Sequence, residues 1–458
     1  MSSYIFKYYL FKEVLCLGKR LLIFLFTFIF LLLSPVLNCY ALIIYEVKPG
    51  DSLNNISKQY KLNAKSFANL NGLERNDKLV IGQSMIIPGS TYFVRQGETL
   101  WDIAFRHTIN INYLKTKNNI TSDVVIPGQK LIIPSYPKTT IWTGTYLIPK
   151  DKKSNKWMID HYKNSLTGVF IFEFHPTSQG KLVKVKENES NRIAWKNHIT
   201  PYATLTNINK NVFDPNLVHL LLSNKSLRKK LVNNIYTLLD KNDYKGISID
   251  FESLNPEDRD NLNIFIKELS EKLHRSKMEV LMAMPPKEAD HFPQFYDAYD
   301  YYTLGKYVDK MFLMTYNWHW PNSSSGPIAP LNEVRKTLQY AVSVVPKSKL
   351  LLGIPQYAYD WPITGEKRKG VAYSTQNAIK KYKKYESEVY FDRETLSPAF
   401  RYTDIDGIIH EVWFEDPRSL LAKFHLVKEF GLAGLGCWHL GITTPQTEKI
   451  LLNEFKIK

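Results

Sequence analysis

Beyond about residue 140, short apolar runs alternate with helical stretches. The apolar runs predict strands near 144–148, 168–174, 198–206, 246–252, 279–284, 310–316, 350–355 and 432–438. Helices are predicted near 226–239, 257–274, 331–344, 419–430 and 444–455. The helix after the fourth strand has Asn255 as candidate N-cap, Pro256 at its first position and Glu257-Asp258 in its first turn. Eight buried strands with crossovers predict an α/β chain closing as a (β/α)8 TIM barrel over 140–458. A stretch at about 371–416 breaks the alternation and reads as an insertion before the last strand.

The fourth strand, residues 246–252, carries the chemistry. Side chains two apart on a strand share a face, so Asp250 and Glu252 project together while Ile247, Ile249 and Phe251 turn to the packing side. Two neighbouring carboxylates cannot both ionise freely, so one keeps its proton at neutral pH, as a general acid must. In such a barrel, functional groups gather at the C-terminal strand ends. Those ends here hold Asn207, Asp250, Glu252, Tyr316, Asn317, Trp318, Gln356, Tyr357 and Trp438, a mixture of acids, amides and aromatics suited to a carbohydrate cleft.

Ahead of the barrel the chain repeats itself. Tyr45-Glu46-Val47-Lys48-Pro49-Gly50-Asp51-Ser52-Leu53 is echoed by Tyr92-Phe93-Val94-Arg95-Gln96-Gly97-Glu98-Thr99-Leu100. Each copy runs through a helical stretch to a Gly-Gln and an Ile-Ile-Pro, ending at Pro88 and Pro134. The pattern predicts two strand–helix–helix–strand units, 45–89 and 92–135, with Asp51-Ser52 and Thr99 opening their first helices. Further upstream, Lys19-Arg20 precedes an almost unbroken apolar run at 21–33 and then Ser34-Pro35. Residues 1–41 therefore read as a signal peptide, or as an uncleaved signal-anchor holding the chain to a membrane through 21–37.

Composition adds three points. The 28 Tyr and 9 Trp exceed what packing needs and suit stacking on sugar rings. A formal charge of +16, spread widely, favours a polyanionic surface such as a cell wall, and no nucleic-acid module accompanies it. Of three cysteines, only Cys437 would survive cleavage after Ala41, so no disulfide staples the mature fold.

These motifs resemble two known families. The repeats are similar to LysM domains, which implies binding to glycans containing N-acetylglucosamine, either peptidoglycan or chitin. The segment Ile247-Ser248-Ile249-Asp250-Phe251-Glu252 resembles the end of the glycoside hydrolase family 18 signature Asp-x-x-Asp-x-Asp-x-Glu, with Lys245 and Ser248 standing at its first two acidic positions. Met314-Thr315-Tyr316 resembles that family's Met-x-Tyr, and Trp438 its aromatic on the last strand. Longer runs, including Tyr359-Asp360-Trp361 and Trp413-Phe414-Glu415-Asp416, are similar to the LysM-bearing cortex-fragment-lytic N-acetylglucosaminidases of spore formers.

The resemblance implies substrate-assisted hydrolysis, in which the sugar's own 2-acetamido group attacks. Glu252 would be the general acid, Asp250 would orient the acetamide, and Tyr316 would hold its carbonyl oxygen. Ser248, Asn317, Trp318, Gln356, Tyr357, Asp360 and Trp438 are the expected sugar contacts. No metal or organic cofactor is implied. The expected partner is peptidoglycan of a wall or spore envelope, met by an exported or membrane-anchored monomer. A chitinase of the same family and a non-catalytic glycan-binding barrel are the alternative readings.

Overall fold

Each repeat closes by pairing its own two ends. In the first, Leu42–Glu46 runs antiparallel to Ser84–Pro88; in the second, Thr91–Phe93 pairs with Lys130–Ile132. The helices Leu53–Gln59 and Leu100–Arg106 start at Ser52 and Thr99, each completing a reciprocal capping box with the third helical residue. Asp51 does not cap. Its carboxylate turns back to accept the Lys48 N–H at 2.7 Å and the Tyr45 hydroxyl at 3.1 Å. Glu98 does the same with the Arg95 N–H at 3.0 Å and the Tyr92 hydroxyl at 2.6 Å. The two repeats pack together: Arg95 pairs with Asp51 at 3.0 Å. The buried His107 ring, held neutral by burial that lowers its pKa to about 3, accepts the Ile44 N–H at 3.0 Å.

The computed structural model describes residues 42–184, 189–210, 212–365 and 369–458. The segment 1–41, with its expected signal or anchor, lies outside the described residues. Among those described, no helix is long and apolar enough to cross a membrane.

The large domain is a closed parallel barrel of eight strands. In chain order these are Thr139–Leu147, Gly168–Pro176, Thr200–Thr206, Gly246–Asp250, Glu279–Met284, Lys310–Leu313, Leu350–Pro355 and Gly434–Trp438. The first strand closes the ring by pairing with both the second and the eighth. Glycine makes room inside it. A Cβ at Gly144 or Gly168 would stand 2.4 or 2.6 Å from the Trp142 ring, which fills that end of the core. Between the seventh and eighth strands sits a five-stranded antiparallel sheet with the helix Thr375–Lys384. That sheet begins at Tyr357, directly after the seventh barrel strand and well ahead of 371. After the fourth strand, Pro256–Asp258 form a 3₁₀ turn and the Asn255 side chain makes no capping bond. The α-helix proper is Arg259–His274.

Candidate active site

Alternation on the fourth strand sorts its side chains as the pattern requires. Phe251 faces outward and its ring stacks on Phe265 of the covering helix, with centroids 6.0 Å apart. Ser248 faces inward, its hydroxyl 3.2 Å from the Tyr146 hydroxyl of the first strand. Asp250 and Glu252 continue that inward face and open into a cavity of about 960 Å³ at the C-terminal ends of the strands. The same cavity is lined by Tyr146, Phe172, Tyr316, Asn317, Tyr357 and Trp438.

The main chain carrying the two acids is held from both sides. Asn207, fully buried at the end of the third strand, donates its amide N–H to the Glu252 carbonyl at 2.9 Å. Its amide oxygen accepts the Glu252 N–H, also at 2.9 Å. From the other side the Tyr299 hydroxyl donates to the Phe251 carbonyl at 2.7 Å. Lys287, itself fully buried, donates to the Tyr299 carbonyl at 3.0 Å. The segment is thus fixed through its main chain.

Burial, and after it the negative charge of Asp250, push the Glu252 pKa up to about 8. Glu252 therefore holds a proton at neutral pH in a site that also contains a second acid. Burial likewise raises the Tyr316 phenol well above its usual range, so it remains an O–H donor. Gly353 on the seventh strand allows Tyr316 to lie close; a Cβ there would stand 3.1 Å from its ring and 2.2 Å from the Leu313 carbonyl. Asn317 adopts a left-handed backbone, φ 66°. Its amide oxygen accepts the hydroxyls of Tyr357 at 2.6 Å and Tyr359 at 2.8 Å. The Trp438 ring packs 5.3 Å from both Tyr146 and Phe172, leaving part of its surface to the cavity.

Asp250, Glu252, Tyr316, Asn317, Tyr357 and Trp438 are thus brought together. Ser248, Trp318, Gln356 and Asp360 lie off the cavity wall. Ser248 sits deeper, against Tyr146. Trp318 packs on the barrel core, and its main-chain N–H donates to the Ile328 carbonyl at 3.2 Å. Gln356 is buried and accepts the Thr447 hydroxyl at 3.2 Å. Asp360 is saturated by four donors, Tyr373, Lys381, Tyr402 and His410, and so knits the inserted sheet together. Tyr359, Tyr373 and Ser374 of that sheet do reach the cavity and escaped sequence reasoning, as did Tyr146, Phe172, Phe295 and Tyr296. Alternation would have found Tyr146, two residues after Gly144 on the first strand.

Paired acids and aromatic walls at the mouth of a parallel barrel define a glycosidase-type site. The chain belongs to the glycosyl hydrolases family 18, matched over residues 158–442, and it carries two LysM domains, matched at 45–88 and 92–134. Among its relatives is the putative sporulation-specific glycosylase YdhD of Bacillus subtilis, 34% identical over 91% of this chain and 99% of that one. The cortical fragment-lytic enzyme of the same organism is 33% identical over 90% and 98%. The crystal structure of the Bacillus cereus spore cortex-lytic enzyme SleL superposes with a TM-score of 0.84 at 30% identity, covering 92% of this chain and 99% of that one. The chain is a LysM-bearing glycosidase.

Proposed function

We propose that this glycosidase cleaves β-1,4 bonds of peptidoglycan, in a cell wall or spore cortex, at N-acetylglucosamine. Glu252 protonates the departing glycosidic oxygen while the 2-acetamido oxygen of the same sugar closes on the anomeric carbon. Asp250 accepts the acetamide N–H and offsets the positive charge of the oxazolinium ring. Tyr316 donates to the acetamide oxygen and keeps it on line for attack. Glu252, now a carboxylate, takes a proton from the water that reopens the ring, and the configuration is retained. Trp438 is the floor under the distorted sugar, while Asn317 and Tyr357 border it.

The observation that carries the reading is the joint presence of Asp250, at the end of the fourth strand, and Glu252, two residues on, within a cavity that also holds Tyr316 and Trp438. Relatives named for sporulation and for cortical fragments support peptidoglycan as the substrate and an exported location. Chitin oligosaccharide is the second reading, supported by a chitinase structure from Chromobacterium violaceum, 25% identical with a TM-score of 0.64 over 69% of this chain. Mass spectrometry of purified peptidoglycan after digestion tests the proposal. New reducing ends should be N-acetylglucosamine; muramic ends, or turnover of chitin oligosaccharides alone, would overturn it.

A further inference from the structure

The two repeats build the same turn before their last strand. In the first, the Gly82 N–H donates to the Val47 carbonyl at 2.9 Å; in the second, the Gly128 N–H donates to the Val94 carbonyl at 2.8 Å. Gln83 and Gln129 brace their turns alike, through the N–H of Val80 and of Ile126. What surrounds these turns differs completely. A Cβ added at Gly82 would fall 1.8 Å from the Val389 carbonyl of the inserted sheet, whereas one at Gly128 meets nothing within 4 Å among the described residues. Val80 is 7% exposed; its counterpart Ile126 is 64% exposed.

The first turn is occupied by the catalytic domain. Its Ile81 carbonyl accepts the Val389 N–H at 2.9 Å, and its Gly82 carbonyl accepts the Arg418 guanidinium at 3.1 Å. Arg418 also reaches Glu46 at 3.1 Å and is itself anchored by Asp416. Around this centre Asp77 pairs with Lys383, Lys78 with Glu386, and Gln446 donates to the Asn71 side chain at 2.8 Å. The second repeat meets the inserted sheet through its first helix, where Asp102 pairs with Arg393 at 3.0 Å. Its turn, with Val124 at 74% exposure beside Ile126, stays open.

We infer that the repeats have divided their work: the first is an intramolecular clamp on the catalytic domain, and the second alone presents its turn to glycan. This rests on the reading of the repeats as wall-binding modules. The occupant is an uncharged face of a β-1,4-linked N-acetylated glycan strand. Val124 and Ile126 offer apolar contact to sugar C–H groups, and the glycine turn lets a ligand approach the backbone. At the matching places the first repeat has Lys78, in a surface ion pair with Glu386, and Val80, which is buried.

The test compares Ile126→Asp with Ile81→Asp in the full chain, by co-sedimentation with insoluble peptidoglycan. Ile126→Asp should weaken retention about tenfold or more, and Ile81→Asp by less than about twofold. Equal losses, or no loss with Ile126→Asp, would overturn the inference. Hydrogen exchange on the unaltered chain gives a second reading, because Gly82 and Gly128 donate to equivalent carbonyls. Gly82 should exchange about tenfold or more slowly than Gly128, and equal rates would contradict the clamp. Turnover of short soluble fragments should be unchanged in both variants. Its absence from the unaltered enzyme would sink the proposed hydrolysis without touching the difference between the repeats.

Discussion

Asn207 grips Glu252 by both of its main-chain groups, with two hydrogen bonds of 2.9 Å. The side chain of Asn207 never touches the cavity wall, yet it fixes where the acid stands. It is a positioning residue. Replacing it with Ala strands the part-buried Glu252 N–H and carbonyl, at a cost of up to roughly 1–3 kcal/mol for each group. Asn207→Ala should lower kcat about 10-fold to 100-fold with little change in KM, and should also lower Tm. A KM effect with kcat intact would mean that the clamp serves binding rather than the acid.

Glu252→Gln keeps the shape of the site and removes the transferable proton. Turnover of peptidoglycan fragments should fall about 10³-fold or more, while retention on insoluble wall stays unchanged because the repeats are untouched. Steady-state rates and co-sedimentation on one preparation separate the two effects.

The raised Glu252 pKa has a sign that can be checked. In the proposed mechanism the acid acts protonated, so kcat/KM should fall on the alkaline side around pH 8. Asp250→Asn removes the charge that contributes to that rise, and the remaining activity should lose its alkaline limb at lower pH. Stability follows the same linkage: an acid whose folded pKa is raised contributes fully below its unfolded value of 4.5, and the contribution is lost as pH climbs towards 8. The Tm gained by Glu252→Gln should therefore grow between pH 5 and pH 8. A gain independent of pH would contradict burial as the cause.

Deleting residues 45–134 would do more than remove wall binding. It would uncover Val389 and strip Arg418 of its Glu46 and Gly82 partners, leaving a guanidinium that is paired with Asp416 and newly open to water. The truncated barrel should melt several degrees lower than the whole chain, as expected for a loss of roughly 1–3 kcal/mol. An unchanged Tm in differential scanning calorimetry would show that the repeats merely hang from the barrel.

Much of this architecture was legible in the chain. Ile247, Ile249 and Phe251 announced both the strand and the face on which Asp250 and Glu252 stand, because strand periodicity is strict and the barrel buries the apolar side. The helix Leu331–Val344 was read to its ends, since its apolar stripe is regular. Short polar helices such as Lys152–Tyr162 and Ser190–Lys196 were not, because tertiary packing rather than local pattern holds them. Asp360 illustrates the limit at the site. Its place beside a strand end resembles that of a ligand contact, and only the fold reveals that Lys381, Tyr402 and His410 consume it. The Asn207 clamp is equally invisible in one dimension, for its two partners are atoms of the main chain.

The central claim is that the sugar's acetamide, held by Asp250 and Tyr316 and assisted by Glu252, is the nucleophile. Hydrolysis rates across a series of aryl glycosides with acetyl, fluoroacetyl, difluoroacetyl and trifluoroacetyl groups on the amino nitrogen address it directly. Each fluorine drains the attacking oxygen, so kcat/KM should fall steeply and steadily along the series. Equal rates throughout would mean that the acetamide does not attack, and would contradict the account.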